Sequence, residues 1–424
     1  MKKVFALTLV GLCIGMTACK KSQQAVVASP DGNISLSFEV DEQGMPCYSV
    51  TRNGQQVLMP SALGFTFVTE SGDTVSDQGW KVLSTETSSK DETWETVWGE
   101  ERLIRDNHNE LTVCLSSTDS KSLTLLNIIF RVFNDGFAFR YAFPEQEVKN
   151  LTIIDEHTSY AFAQEPNIWS IPWRTEYYEA LFEKAPLSQK DTMNSPVTLE
   201  MADGSYAFLH EAALTDFPCQ NLYNAQRSTL NAQLSTFLTP WMKDDAVIND
   251  KAYVTTPFAT PWRFMILTNT LPEMMASRIM LNLNEPCKIE DTSWIRPMKF
   301  IGIWWGMHMK EWTWRQGPNH GATTEHMKQY LDFAADNNIQ GVLAEGWNLG
   351  WEGYEGINND RFSFVTPYPD YDLNYLSQYA KERGVEIICH HETSGRANEY
   401  EADLDTAYQY MQQMGMRAVK TGYV

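Results

Sequence analysis

Phe300-Ile301-Gly302-Ile303-Trp304-Trp305, Gly341-Val342-Leu343-Ala344-Glu345, Val385-Glu386-Ile387-Ile388-Cys389-His390-His391 and Arg417-Ala418-Val419-Lys420-Thr421-Gly422-Tyr423 are four short runs whose spacing decides the fold. Between them the apolar period changes. Thr323 or Thr324 can cap a helix that has Glu325 in its first turn and Met327, Tyr330, Leu331 and Ala334 on one face. Leu373, Leu376 and Ala380 mark a second helix ending at Gly384, and Leu404, Ala407, Tyr408 and Met411 a third closed by Gly415. Strand and helix in alternation mean parallel strands joined by helical crossovers, as in a doubly wound sheet or a (β/α)8 barrel. No Gly-x-Gly-x-x-Gly follows any of these strands, which favours the barrel. Residues 297–424 therefore read as the first half of a (β/α)8 TIM barrel, strands one to four. Half a barrel cannot close, so a longer protein is expected.

Upstream the period is two. Ile34, Leu36, Phe38 and Val40 alternate with Asn33, Ser35, Ser37 and Glu39, the pattern of a half-buried strand. Turn signals recur at Asp31-Gly32, Asn53-Gly54, Ser71-Gly72-Asp73, Asp135-Gly136 and Asp203-Gly204. Phe137 to Phe143 alternates aromatic and small residues, as a strand between two sheets would. The chain is thus multidomain, β then α/β. A large antiparallel sandwich spans 25–290, and the texture changes between Cys287 and Met298.

The first nineteen residues have Lys2 and Lys3, an apolar run from Val4 to Met16, and then Thr17-Ala18-Cys19. That is an export leader rather than a spanning helix. The small residues before Cys19 resemble a lipobox, which makes Cys19 the expected lipidation site, with ordinary leader cleavage as the alternative. Lys20 is unlike the Asp that retains lipoproteins at the inner membrane, so the periplasm or the outer membrane is the expected location. Cys47, Cys114, Cys219, Cys287 and Cys389 are odd in number and scattered without a C-x-x-C spacing. Neither a zinc site nor a disulfide framework follows from them.

With 54 acidic against 33 basic residues the net charge is −21, which repels nucleic acid and anionic lipid. The 14 tryptophans and 18 tyrosines supply faces against which sugar rings stack, although most such rings are simply core.

In α/β barrels the reactive groups stand at the C-terminal ends of strands. Those ends here are Trp304-Trp305-Gly306-Met307-His308, Glu345-Gly346-Trp347-Asn348, His390-His391-Glu392-Thr393 and Lys420-Thr421-Gly422-Tyr423. Trp304 and Trp305 read either as a sugar-stacking wall or as a plug. Glu345 either contacts substrate or bonds the backbone amides of its own loop. Strand alternation sends His390 and His391 to opposite faces, and His390 shares its face with Glu392. Glu392 is the leading candidate catalytic group, because a carboxylate after a buried strand must be solvated, paired or catalytic. Lys420 needs a carboxylate or a substrate hydroxyl, and the hydroxyl is favoured. Acetal hydrolysis needs two carboxyl groups flanking the bond, which Glu345 and Glu392 could supply.

These blocks, in order with His320-Gly321-Ala322-Thr323-Thr324-Glu325 and Thr366-Pro367-Tyr368-Pro369-Asp370, resemble glycoside hydrolase family 97. His210-Glu211-Ala212-Ala213-Leu214 extends the likeness into the sandwich. The resemblance implies an N-terminal β-super-sandwich, a catalytic barrel, a short C-terminal β-domain, Ca2+ at the active site and α-glycosides as substrates. In the family's retaining α-galactosidases an Asp ends strand four, whereas its inverting α-glucosidases have Gly there and a Glu after strand three. Gly422 and Glu392 match the inverting branch. By the same resemblance Glu392 is the general base, Glu211 a calcium ligand, and His390, Lys420 and Glu345 sugar contacts. Its plain alternative for Glu211 is a surface carboxylate. The general acid, a second base and the other calcium carboxylates are expected beyond Val424, so residues 20–424 alone are expected to hydrolyse little. Glu345 and Glu392, on neighbouring strands, are close for an inverting pair, which makes Glu345 a sugar binder. The expected activity is calcium-dependent α-glucosidase action on malto-oligosaccharides. A retaining α-galactosidase and a non-catalytic carbohydrate-binding envelope lipoprotein are the alternatives.

Overall fold

The computed structural model of the chain describes residues 24–117, 124–174, 179–225, 232–239, 250–353 and 361–422. Cys19, the leader and Tyr423 lie outside them. The chain divides into two compact units, one ending at Glu290 and the other beginning at Asp291.

The first unit is antiparallel throughout its paired strands. Its largest sheet has ten strands and runs from Glu183–Pro186 through Asn167–Ser170, Val197–Glu200, Tyr206–Ala212, Trp262–Thr268, Gly136–Phe143, Leu125–Phe133 and Leu103–Ser117 to Trp80–Glu95. Phe258–Ala259 pairs beside Gly136–Phe143. Three four-stranded sheets complete the unit. One of them joins Ala25–Ala28, Ile34–Val40, Pro46–Arg52 and Gln55–Ala62 in sequence order, and its turn at Asn53-Gly54 takes both residues to positive φ. Ile34, Leu36 and Phe38 are buried, as their alternation requires.

Strand Gly136–Phe143 departs from its expected setting. Phe137, Phe139, Tyr141 and Phe143 enter the main inter-sheet core. Its other face is covered not by a sheet but by the short helices Leu271–Met275 and Ile279–Leu283, whose Met274, Ile279 and Leu283 cluster with Ala138 and Trp262. The reason is steric. A Cβ at Gly136 would lie 2.3 Å from the Met265 carbonyl and 2.8 Å from Ile279 Cδ1, so only small residues admit the helices there.

In the second unit, strands Phe300–Gly302, Gly341–Leu343, Glu386–Glu392 and Val419–Gly422 form one parallel sheet in chain order. Helices Thr324–Asp336, Leu373–Arg383 and Ala397–Gln413 lie between them in sequence. Thr323 caps the first of these, its side chain accepting from the His326 N–H at 3.2 Å, with Glu325 in the first turn of the helix dipole. Asp372 caps the second from its N-terminal end, and Gly384 closes it in the left-handed conformation. Met327, Leu331, Leu376, Ala380 and Met411 from the helices meet Val342, Ile387 and Cys389 from the sheet in one core.

The later strands shift by one or two residues at their ends from the sequence reading, and two boundaries differ more. Strand one stops at Gly302, and Trp304–His308 is a single helical turn, begun by the Gly306 N–H bonding back to the Ile303 carbonyl at 3.0 Å. The third helix starts at Ala397, ahead of its first periodic residue, because Tyr400 extends its buried face. Among the described residues no helix is long and apolar enough to cross a membrane.

Candidate active site

The strand register builds the site. His390 stands beside Lys420, and Glu392 beside Gly422, across the third and fourth strands. Neighbours in register share a face, so these four positions look the same way. His391 looks the other way, its Nδ1 3.0 Å from the Tyr400 hydroxyl and its ring against Phe364.

Glu345 follows the second strand and is 6% exposed. Its Oε1 accepts from Lys420 Nζ at 2.8 Å and its Oε2 from Trp314 Nε1 at 3.1 Å. His390 Nε2 is 3.9 Å from the same Oε1, too far for a hydrogen bond. Among the described residues the partner of Lys420 is thus a carboxylate. Glu345 binds side chains rather than its own loop amides. The Lys420 side chain remains half exposed, and an ammonium carries three donors, so Lys420 can serve Glu345 and a ligand together.

Glu392 is 3% exposed and holds its Oε1 against the Ser394 N–H at 2.8 Å. Burial pushes its carboxyl above the ordinary range, the Ser394 amide pulls it back in part, and the Glu345 charge adds to the rise. A carboxylate so raised is a better proton acceptor at neutral pH than a solvated one. Its Oε2 lies over Gly422. A Cβ at that glycine would be 2.7 Å from Oε2 and 3.5 Å from His390 Nε2. No side chain at 422 fits while Glu392 keeps this position.

Aromatic rings wall the cluster. The Trp351 ring stacks on His390 at 5.9 Å and on Trp314 at 6.2 Å, and Trp347 Nε1 donates to the His390 carbonyl at 2.8 Å. His320, 1% exposed, ties the turn after Glu345 to the next loop, with Nε2 on the Gly346 carbonyl and Nδ1 on Asp370, each at 2.9 Å. Trp314 and Trp351 lie in loops without periodicity, so no sequence signal places them at the site. Trp304 and Trp305 are 42% and 64% exposed.

Burial lowers both His390 and His391 to about 4; the Glu345 charge opposes the His390 shift and Lys420 adds to it, while His390 adds to that of His391. Each ring is therefore neutral when folded and charges more readily when unfolded. The sign follows: their contribution to stability is complete above the unfolded value near 6.5 and is lost as the pH falls toward 4. The loss is at most roughly 3 kcal/mol per ring. The urea midpoint of the chain should drop between about pH 7 and about pH 4.5, and His391→Phe should reduce that drop. An equal drop in the variant would remove His391 from the account.

Glu211, in the first unit, is not a surface carboxylate. It is 6% exposed, its Oε2 is 2.6 Å from Arg263 Nη1, and both oxygens accept from the Gln220 N–H at 3.1 Å. Arg263, 1% exposed, also grips Glu156 through Nε at 3.2 Å and Nη2 at 2.7 Å. Calcium takes six to eight oxygens, and among the described residues no three acidic, His or Cys side chains converge to hold a metal. Glu211, Arg263 and Glu156 form a buried ion triad.

Comparison with known proteins agrees with this architecture. The sequence matches the family described as glycosyl-hydrolase 97 N-terminal over residues 27–286 and glycoside hydrolase 97 over residues 304–424. It is 26% identical over 451 residues to a retaining alpha-galactosidase of Bacteroides thetaiotaomicron, covering 99% of this chain and 62% of that protein. Two structures of a family 97 enzyme from Pseudoalteromonas sp. strain K8, one in complex with acarbose and one, an E480Q variant, with panose, each superpose with a TM-score of 0.85 at 37% identity. In both cases the match covers 94% of this chain and 59% of the other, so the chain spans about three fifths of the length of these relatives. On matches that cover both of its units, this chain belongs to glycoside hydrolase family 97.

Proposed function

We propose that the chain forms the sandwich and the first half of the catalytic (β/α)8 barrel of an exported glycosidase, an inverting α-glucosidase acting on malto-oligosaccharides. The observation that carries this reading is the exclusion between Glu392 and a side chain at 422. A side chain at 422 would require Glu392 to move, so the present arrangement suits a carboxylate supplied from the third strand alone. Here the third strand supplies it, and Gly422 leaves the space above it open.

In that role Glu392 takes the proton of a water attacking the anomeric carbon on the face opposite the leaving oxygen. Inverting enzymes set acid and base carboxyls about 6.5–9.5 Å apart to admit this water. Lys420, Glu345 and His390 hold sugar hydroxyls, with the Lys420–Glu345 pair presenting a donor and an acceptor side by side. The acarbose and panose complexes of the Pseudoalteromonas enzyme support an α-glucan substrate. Calcium belongs to the proposal only as an ion of the whole enzyme, with Glu211 as its candidate ligand, and no step above runs through it. The leader and Cys19 support export to the envelope with Cys19 as the lipid anchor.

The retaining α-galactosidase reading draws on the name of the Bacteroides relative. Proton NMR of the first sugar released by the protein carrying this chain separates the two. Initial β-glucose from an aryl α-glucoside is the expected result. Initial α-glucose, or cleavage of α-galactosides alone, would overturn the proposal.

A further inference from the structure

The ten-stranded sheet ends in strand Trp80–Glu95, which pairs with Leu103–Ser117 on one side and, among the described residues, with no strand on the other. Every residue from Leu83 to Glu95 is exposed. A row of unpaired N–H and C=O groups is a template for another strand, and proteins blunt such edges with proline, bulges, charge or a covering element. This strand has no proline. Its one bulge falls between Val82 and Ser84, which leaves residues 84–92 as an unbroken edge.

The charges on that edge are Glu86, Lys90, Asp91 and Glu92. When an edge pairs antiparallel with the same edge of a second copy, the contact is two-fold, and residues equidistant from the axis stand opposite. With the axis at Ser88, Glu86 faces Lys90 twice, Thr85 faces Asp91 and Ser84 faces Glu92. No like charges meet. Shifting the axis by a whole residue toward the C-terminus sets Glu86 against Glu92. The same shift toward the N-terminus opposes no unlike charges. Among these neighbouring registers the pattern is complementary to itself in one alone, and like charges directly opposite are destabilising.

We propose that this edge joins two copies of the chain, the large sheet running on through a two-fold axis at Ser88. Lys90 is already held on the strand by Asp106 at 3.2 Å and Glu92 at 3.4 Å, with 43% of its side chain exposed and a third donor direction free for Glu86 of the second copy. Two copies of net charge −21 repel at long range, so association depends on main-chain pairing in this register rather than on bulk attraction.

Light scattering on the mature protein carrying this chain should give twice its monomer mass. Glu86→Lys, which sets lysine against lysine at both symmetric positions, should give the single mass with an unchanged thermal midpoint. Lys90 is left in place because its ammonium also serves Asp106. As an independent measure, Ser88→Cys should form a covalent dimer on mild oxidation, since opposed Cβ atoms across antiparallel strands lie about 4.5–5.5 Å apart. Ser84→Cys, opposite Glu92, should not. A monomeric wild type, a dimeric Glu86→Lys, or equal cross-linking at both cysteines would overturn the proposal.

Discussion

Replacing Arg263 with Met is expected to destabilise the first unit by about 3–5 kcal/mol, a large fraction of what holds a domain together. The guanidinium is buried with two carboxylates. Glu156 takes two of its N–H groups and Glu211 a third, while the Thr158 hydroxyl donates to Glu156 and the Gln220 N–H to Glu211. Burial alone would lower the Arg263 proton affinity, but the two carboxylates more than reverse this. Glu211 moves the other way, with burial pushing it up against the pull of Arg263. Methionine fills the space without the charge, so two carboxylates must then be carried unpaired in a closed core or take up protons. Two readings follow for the urea unfolding of the variant. Its deficit should shrink as the pH is lowered, because protonation removes the stranded charges, and Glu156→Gln with Glu211→Gln should recover much of it at neutral pH. A variant within about 1 kcal/mol of wild type, or a deficit indifferent to pH, would show that water already reaches the triad.

That triad also marks where sequence reading ends. Glu211 stands out in a short block, but Glu156 and Arg263 lie 107 residues apart and carry no pattern that pairs them. Antiparallel register alone sets Glu211 opposite Arg263. Periodicity, by contrast, is local. The cap at Thr323, the end at Gly384 and the four parallel strands can be read from a few residues each, because a helix face and a strand face repeat within one element. The same rule predicts that His390 and Glu392 share a face and His391 does not. It has no purchase on Trp314, whose bond to Glu345 spans 31 residues of irregular chain, or on Lys420, whose partner depends on the neighbouring strand. The single turn at Trp304–His308 was illegible for a related reason: a run of apolar residues this short fits strand and helix alike.

Gly422→Ala is expected to lower turnover by the protein carrying this chain at least 100-fold while leaving its thermal midpoint within a few degrees. The position has no positive φ to relieve, so alanine is tolerated by the backbone and the whole effect is steric. The new methyl would lie 2.7 Å from Glu392 Oε2, well inside van der Waals contact. The Ser394 amide holds the other oxygen at 2.8 Å, so the carboxylate cannot rotate aside without breaking that bond. Whichever gives, Glu392 leaves the position from which, as the proposed base, it would orient water, and a displacement of about 1 Å is enough for a loss on the order of 100-fold. The Lys420–Glu345 pair lies on other bonds, so KM should change far less than kcat. Glu392→Gln should lose activity comparably, and adding Gly422→Ala to it should cost little more, since both remove one function. Additive losses would mean that Gly422 acts on something other than Glu392. A Gly422→Ala enzyme keeping more than about a tenth of wild-type kcat would break the link between the open space over strand four and the base on strand three, and with it the case for inversion.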